Sequence, residues 1–203
     1  MIYAYNPEHV GDTLLVIAAD FKGQPVTYER KYNITQIKNS DGTIVGWNFF
    51  QLSDILTLEE TGQVYPTKEQ IAILNQQLHL SGFEEELPLE EAPKFVVGYV
   101  KTCVPHPDSD HLSITETEVD NGEVLQIVCG AANIRQGLKV VVAKPGAMMP
   151  DGLLIWPGVL RGVESFGMIC SAAELHVPNE TGKKGILELP DTAVTGTPFI
   201  PGK

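Results

Sequence analysis

Residues 160–171 read LRGVESFGMICS, and this stretch decides how the second half of the 203-residue chain folds. Strand-like runs at residues 159–161 and 166–169 flank a short link, and glycines stand at positions 162 and 167. Further short apolar runs precede it at residues 95–100, 112–119, 124–129, 138–143 and 153–156. About five short strands with glycine-rich turns are typical of a small closed barrel, for which the OB-fold is one of few solutions.

Local signals add detail to this barrel. Gly98 stands where a barrel strand could kink. The sequence Asp120-Asn121-Gly122 predicts the turn of a hairpin. Ser171 is a favourable helix N-cap, so residues 171–175 are predicted to form the cap and first turn of a short helix.

The front of the chain is organised differently. Residues 13–18, 26–37 and 43–51 have the composition of strands, and turn residues at 39–42 join the last two runs as a hairpin. A helix is predicted to start at Thr67, with one apolar face formed by Ile71, Leu74 and Leu78. The predicted fold class is therefore mainly β with α+β: a small N-terminal α+β domain followed by a C-terminal OB-fold β-barrel.

Four segments result from these patterns. Residues 1–83 are predicted to be the small α+β domain. Residues 84–93 are rich in glutamate and contain prolines, which is typical of a linker. Residues 94–191 form the predicted OB-fold domain, and residues 192–203 form an irregular tail.

Composition limits the class of protein. An apolar fraction of 43% fits a globular chain, no run is long enough to span a membrane, and the start lacks a signal sequence, so a cytoplasmic location is expected. The three cysteines are too scattered for a disulfide framework and are expected to be reduced core residues. The net charge of −12 is unusual for a nucleic-acid binder, but most of the excess acid lies in residues 1–92.

No sequence pattern for catalysis is present: the phosphate-binding, dinucleotide-binding, serine-hydrolase and zinc-protease motifs are all missing. His106, Asp108, Asp110 and His111 are close enough in sequence to hold a divalent metal, but carboxylates in such a proline-containing loop more often accept from turn amides. We therefore expect no enzyme, no cofactor and no metal site.

Four motifs in order resemble the tRNA-binding domain family. The first combines residues 97–100 with the loop His106-Pro107-Asp108-Ser109-Asp110-His111. The second and third are residues 126–135 and 142–147. The fourth is the stretch at 160–171, followed by residues 185–190. Members of this family include the N-terminal region of the bacterial phenylalanyl-tRNA synthetase β subunit. An acidic front domain with no synthetase body resembles the stand-alone YtpR group.

This resemblance implies an OB-fold that binds tRNA across one face of the barrel, and it implies contact roles for Ser165, Met168 and nearby Arg161. An arginine can fork onto a phosphate or stack on a base. The remaining candidates for RNA contact are Asn133, Lys139 and Lys144. Three of these six candidates have a structural alternative: Arg161 could pair with Glu164, Met168 could be a core residue, and Asn133 could be a turn residue.

The expected partner is tRNA, with no membrane and no DNA. Residues 154–160 carry no charge, where strong tRNA binders of this family tend to have lysines, so few phosphate contacts are expected. An alternative is a protein-interaction or self-association module, such as a homodimer, that uses the same barrel face through Ile155 and Trp156.

Overall fold

The computed structural model describes residues 1–89, 92–179, 182 and 184–202. The chain divides into two compact units, residues 1–91 and 92–203. The strands and helices of the front unit are β1 Ile2–Tyr5, α1 Pro7–Val10, β2 Thr13–Ile17, β3 Val26–Lys31, β4 Ile34–Asn39, β5 Ile44–Phe50, β6 Gly62–Val64 and α2 Lys68–Leu80.

The front unit is one antiparallel sheet in the order β3-β4-β5-β2-β1-β6, with β3 and β6 at the edges. Its core includes Trp47, Phe49 and the three apolar residues predicted for α2. A capping box starts that helix, because Thr67 accepts from the Gln70 N–H and the Gln70 side chain accepts from the Thr67 N–H. The β-rich run at 26–37 forms two strands, because Tyr32 turns the chain with a φ of 54°.

The segment predicted as a linker is partly packed on the front unit. Leu87 is buried in the front core. Its N–H donates to Asn75 Oδ1 at 2.7 Å, and its carbonyl oxygen accepts from Asn75 Nδ2 at 3.0 Å. The prediction for residues 90 and 91 lies outside the described residues.

The described residues of the back unit form eight strands, which make a nearly closed barrel. They are β7 Phe95–Pro105, β8 Ser113–Glu118, β9 Val124–Cys129, β10 Lys139–Ala143, β11 Gly158–Leu160, β12 Val163–Ser165, β13 Met168–Ile169 and β14 Glu188–Leu189. The main sheet has the order β13-β10-β7-β8-β9, and β14 also pairs with β10. Next to β12, the Phe166 N–H donates to the Gln126 carbonyl of β9 at 2.8 Å, which brings the two ends of the barrel together. The predicted fold class is confirmed.

Both faces of the central strands are buried. One core fills the barrel and includes Val96, Val140 and Val142; a second lies outside it and includes Val141 and Leu175. This explains why β10 is a continuous apolar run. Gly98 permits the close packing, because a Cβ there would lie 2.6 Å from a Val142 methyl carbon.

Three details differ from the sequence patterns or extend them. Residues 171–175 form a turn and not a helix, since His176 reverses the chain with a φ of 53°. Residues 153–156 form only an isolated bridge, between Leu154 and Met148. The tail runs along β7: the Val97 N–H donates to the Thr197 carbonyl, and the Phe199 N–H donates to the Phe95 carbonyl, both at 2.9 Å.

Candidate nucleic-acid interface

Arg161 lies at the exposed tip of the β11–β12 hairpin. Leu160 pairs with Val163, so Arg161 and Gly162 form the two-residue turn between the strands. Their φ angles are 45° and 82°, and positive values at both positions are typical of a type I′ turn, which favours asparagine, aspartate or glycine. A left-handed arginine costs about 1–2 kcal/mol. The turn therefore does not explain the arginine, and its side chain is a functional candidate.

A buried histidine connects this hairpin to the loop between β7 and β8. His106 Nδ1 accepts from the Asp108 N–H at 3.0 Å, so the ring proton lies on Nε2, which donates to the Leu160 carbonyl at 3.2 Å. Arg161 Nη1 donates to the Asp108 carbonyl at 2.9 Å. The loop after the first barrel strand and the β11–β12 hairpin thus meet, and loops in these positions clamp the ligands of OB-folds.

An open cleft of about 600 Å³ lies beside this hairpin. We call it the motif cleft, because the Ser-x-Gly-Met motif forms part of its wall. Its lining is mainly apolar and includes Ile155, Trp156, Leu160 and Met168, with Ser165, Ser171 and Glu174 as polar members. An aromatic ring and a thioether beside a few polar atoms form a suitable surface for an unstacked base.

Ser165 has a structural role in this wall. Its side chain is buried, and Oγ accepts from the Val128 N–H at 3.1 Å, which joins β12 to β9. Gly167 follows with a φ of 125°, and a Cβ there would lie 2.7 Å from the Ala143 carbonyl oxygen. Serine and glycine thereby set the shape of the cleft and leave Met168, which is only partly buried, to line it.

The other three predicted contact residues lie in intramolecular contacts. The Asn133 side-chain amide binds the Ile186 backbone, since Nδ2 donates to the carbonyl and Oδ1 accepts from the N–H, and Nδ2 also donates to Glu188 Oε1 at 2.9 Å. Lys144 is buried and forms an ion pair of 2.7 Å with Asp120. Lys139 lies over the Tyr99 ring and donates to Thr195 Oγ1. The structure brings Arg161, Ser165 and Met168 to the motif cleft and its rim, whereas the side chains of Asn133, Lys139 and Lys144 are engaged in intramolecular contacts.

The sequence does not predict the roles of two residues of the site. The role of His106 depends on Leu160, which is 54 residues away. The sequence places Glu174 only in a predicted helical turn, yet this residue lines the motif cleft. Its Oε2 accepts from the Ser171 N–H and hydroxyl, both at 2.7 Å. The signal for Glu174 was the capping-box spacing that begins at Ser171.

The cysteines have the properties of core thiols. Cys129 and Cys170 are buried, and desolvation raises the pKa of both, to about 12 for Cys170. Neither is a thiolate nucleophile at neutral pH. Across the described residues, no three His, Cys, Asp or Glu side chains are grouped to hold a metal ion. No helix in that part of the chain is long and apolar enough to cross a membrane.

Comparison with known proteins agrees with this geometry. Residues 95–198 match the family model described as "Putative tRNA binding domain". "Putative tRNA-binding protein YtpR" of Bacillus subtilis is 45% identical over 196 residues, which cover 96% of this chain and 97% of that protein. The chain belongs to the YtpR family. This confirms the resemblance inferred from the four motifs.

A second family model matches most of the front unit. Residues 21–90 match a domain of unknown function, DUF4479. The phenylalanine–tRNA ligase β subunit of Neisseria meningitidis is 43% identical over 127 residues, or 61% of this chain. That of Vibrio parahaemolyticus is 45% identical over 129 residues, or 62% of this chain. Each match covers only 16% of the ligase subunit, so the similarity is confined to a small part of that protein.

Proposed function

We propose that this chain is a non-catalytic RNA-binding protein whose back unit binds tRNA at the motif cleft and the β11–β12 hairpin. The observation that carries the proposal is the exposed Arg161 guanidinium at the rim of the cleft. The hydrogen bond to the Asp108 carbonyl uses Nη1 and leaves other N–H groups available for a phosphate. The family match and the printed name of the Bacillus subtilis relative support tRNA as the ligand.

The contacts assign a different role in binding to each residue of the site. Trp156 and Met168 present apolar surface to a base, and Arg161 presents charge to the backbone. His106 positions the hairpin and is not available as a base or a metal ligand, because both ring nitrogens are in hydrogen bonds. His111 is exposed, next to Ser109. This arrangement supports binding and not hydrolysis. The proposed ligand supports a cytoplasmic location, because tRNA is found there.

The test is tRNA binding to the full chain over a salt series. We expect Arg161→Ala to weaken binding and to reduce the slope of log K against log salt by roughly 0.7–0.9. Arg161→Lys keeps the charge but loses the fork, so it should retain the slope and lose affinity. Arg135→Ala is the matched control, because this substitution removes the same charge from the same unit. Arg135 is exposed and already pairs with Glu188 at 3.0 Å.

Two results would contradict the proposal. The first is an absence of tRNA binding at low salt. The second is a salt slope that Arg161→Ala and Arg135→Ala change equally, since this would remove any special role of the hairpin tip.

A protein partner or homodimer is the second candidate. Val159 and Leu160 of the hairpin are 66% and 40% exposed, and Leu153 is 54% exposed. Sedimentation of the full chain and of Val159→Ser tests this surface. A lower association state for the variant, with unchanged tRNA binding, would favour the second candidate.

A further inference from the structure

The front unit carries a basic and aromatic surface on its β3 edge. We call residues 21–39, which comprise β3, β4 and the turn before them, the basic ribbon. Every residue from Phe21 to Arg30 is exposed, so β3 contributes little to the front core. Because β3 is at the edge of the sheet, its outer side pairs with no other strand in the described part of the chain.

Charge is concentrated in this ribbon. Residues 1–92 contain five lysines and arginines and fourteen aspartates and glutamates. Four of the five basic residues lie in the ribbon, together with one acid, Glu29. Residues 21–39 therefore carry an excess of three positive charges, bordered by Asp20 and Asp41, and a local excess of this kind attracts phosphates.

Aromatic side chains accompany these charges. Tyr28 is 78% exposed, Tyr32 is 81% exposed and Phe21 is 51% exposed. Burial of a large aromatic ring is favourable, so three exposed rings in twelve residues indicate a surface that binds a partner. Aromatic faces beside basic side chains are the elements with which proteins bind single-stranded nucleic acid.

The contacts of the basic residues show which charges are available. Lys31 donates to the Gly82 carbonyl at 3.0 Å, pairs with Glu29 at 3.2 Å and lies over the Phe83 ring, so it fastens the ribbon to the front core. Within the described part of the chain, Lys22 and Arg30 are in no ion pair with a carboxylate within 4 Å. These two charges are free to meet a phosphate.

Arg30 is also held in place. Its guanidinium lies 4.5 Å from the centroid of the Phe50 ring, and Nε donates to the Tyr32 carbonyl at 3.1 Å. Tyr28 and Arg30 are two residues apart on one strand and so share a face of the sheet. A planar cation and an aromatic ring thus present adjacent flat surfaces.

We propose that the basic ribbon is a second RNA-contacting surface, which binds unpaired nucleotides by stacking bases on Tyr28 and Tyr32 and by placing phosphates at Lys22 and Arg30. The inference rests on the proposed function, because the ligand is the same RNA. The contacts of the back unit supply a reason for it: Lys101, Arg135, Lys139 and Lys144 all have intramolecular partners, so that unit offers few free charges.

A protein strand that pairs with β3 fits this edge less well. Charged side chains on an edge strand oppose pairing with another strand, and β3 carries Glu29, Arg30 and Lys31. The positive charge of the ribbon complements phosphates, and the exposed rings suit bases.

The experiment compares matched variants of the full chain in binding tRNA and a uridine oligonucleotide over a salt series. Tyr28→Ala with Tyr32→Ala should weaken binding at least about tenfold, since each stacked base contributes substantially. The control is Tyr65→Ala, because Tyr65 is 64% exposed on the same unit but outside the ribbon. Tyr28→Phe with Tyr32→Phe keeps both rings and should bind RNA as the wild type does.

Charge is tested separately. Lys22→Gln with Arg30→Gln should reduce the salt slope by roughly 1.4, or about 0.7 for each charge lost to a single strand. Lys68→Gln is the control, since Lys68 is the one basic residue of the front unit outside the ribbon. Circular dichroism melts of all variants exclude unfolding as the cause, and Lys22→Gln alone leaves the Arg30 stacking on Phe50 intact.

The outcomes separate this inference from the proposed function. If Arg161→Ala weakens tRNA binding while the ribbon variants behave like Tyr65→Ala and Lys68→Gln, the inference is overturned and the proposed function stands. The inference is also overturned if the tyrosine variant changes only the association state in sedimentation, which would make the ribbon a protein interface. A full chain that binds neither RNA overturns both.

Discussion

Replacing Lys144 with methionine should destabilise the back unit and leave RNA binding unchanged. Lys144 follows β10, Asp120 lies shortly after β8, and both strands flank β7, so their 2.7 Å ion pair joins two strand ends across a third. The side chains are 11% and 14% exposed. Methionine keeps much of the lysine volume but leaves the Asp120 carboxylate with no cation in a largely buried position.

The expected loss in free energy of unfolding lies between two known limits. Exposed ion pairs contribute about 0–1 kcal/mol, and removing one partner of a fully buried pair costs about 3–5 kcal/mol. The slight exposure of both side chains places this pair between them, so we expect a loss of about 2 kcal/mol. This corresponds to roughly a thirtyfold increase in the population of the open back unit.

Amide hydrogen exchange measured by mass spectrometry is the appropriate assay, because it reports on the two units separately. Peptides that cover β10 should exchange roughly thirtyfold faster in Lys144→Met, and peptides that cover β4 in the front unit should not change. Lys101→Met is the control, since Lys101 pairs with Glu118 at 3.5 Å but is 47% exposed. Lys101→Met should lower the free energy of unfolding by less than about 1 kcal/mol.

A second substitution tests the mechanism. Asp120→Asn combined with Lys144→Met removes both charges and should recover part of the loss. Equal exchange in Lys144→Met and Lys101→Met would refute the buried-pair argument. A salt slope for tRNA binding that falls by about one with Lys144→Met would show instead that this lysine contacts phosphate.

Two further predictions concern other parts of the molecule. Gly167→Ala should lower the free energy of unfolding by more than about 2 kcal/mol, because residue 167 has a φ of 125° and a Cβ there would lie 2.7 Å from the Ala143 oxygen. Urea unfolding measures this loss. The control is Gly152→Ala, where a Cβ would meet open space, and an equally small loss in both variants would contradict the prediction. Hydrogen bonds from Ser53 lower the pKa of Asp12, with the Tyr5 hydroxyl as a further donor. Since the folded pKa is depressed, the stabilisation by Asp12 is present above about pH 4 and is lost as pH falls through the folded pKa. The difference in urea midpoint between wild type and Asp12→Asn should therefore be larger at pH 7 than at pH 3, and an equal difference would contradict this.

Signals carried by neighbouring residues predicted the local structure well. The Thr67 and Gln70 pair starts α2, and the turn residues at 39–42 join β4 to β5. The limit appears at residues 171–175. Ser171 and Glu174 do form the reciprocal bonds of a capping box, yet the left-handed conformation of His176 ends the turn before a helix forms. A start signal alone does not determine how far a helix continues.

The site could be located from the sequence, but the roles of its polar residues could not. The ordered motifs predict that Arg161 and Met168 lie on one face of the barrel, and the structure places Met168 in the wall of the motif cleft and Arg161 next to Leu160 of that wall. The partners of Ser165, Lys144 and Asn133 lie between 24 and 55 residues away along the chain. A serine, lysine or asparagine in a motif indicates a capacity for hydrogen bonding. Only the fold shows that this capacity is used inside the protein.

The free charges also limit the kind of RNA binding to expect. Among the described residues, the exposed lysines and arginines that are in no ion pair within 4 Å include Lys22, Arg30, Lys68, Arg161 and Lys184. Five phosphate contacts would give a salt slope of only about −3.5 for single-stranded RNA. Electrostatic attraction of this size cannot by itself produce tight binding by a chain of net charge −12. The remaining affinity must then come from stacking in the motif cleft and on the basic ribbon, so substitutions of exposed aromatic residues should affect binding more than equal numbers of charge substitutions.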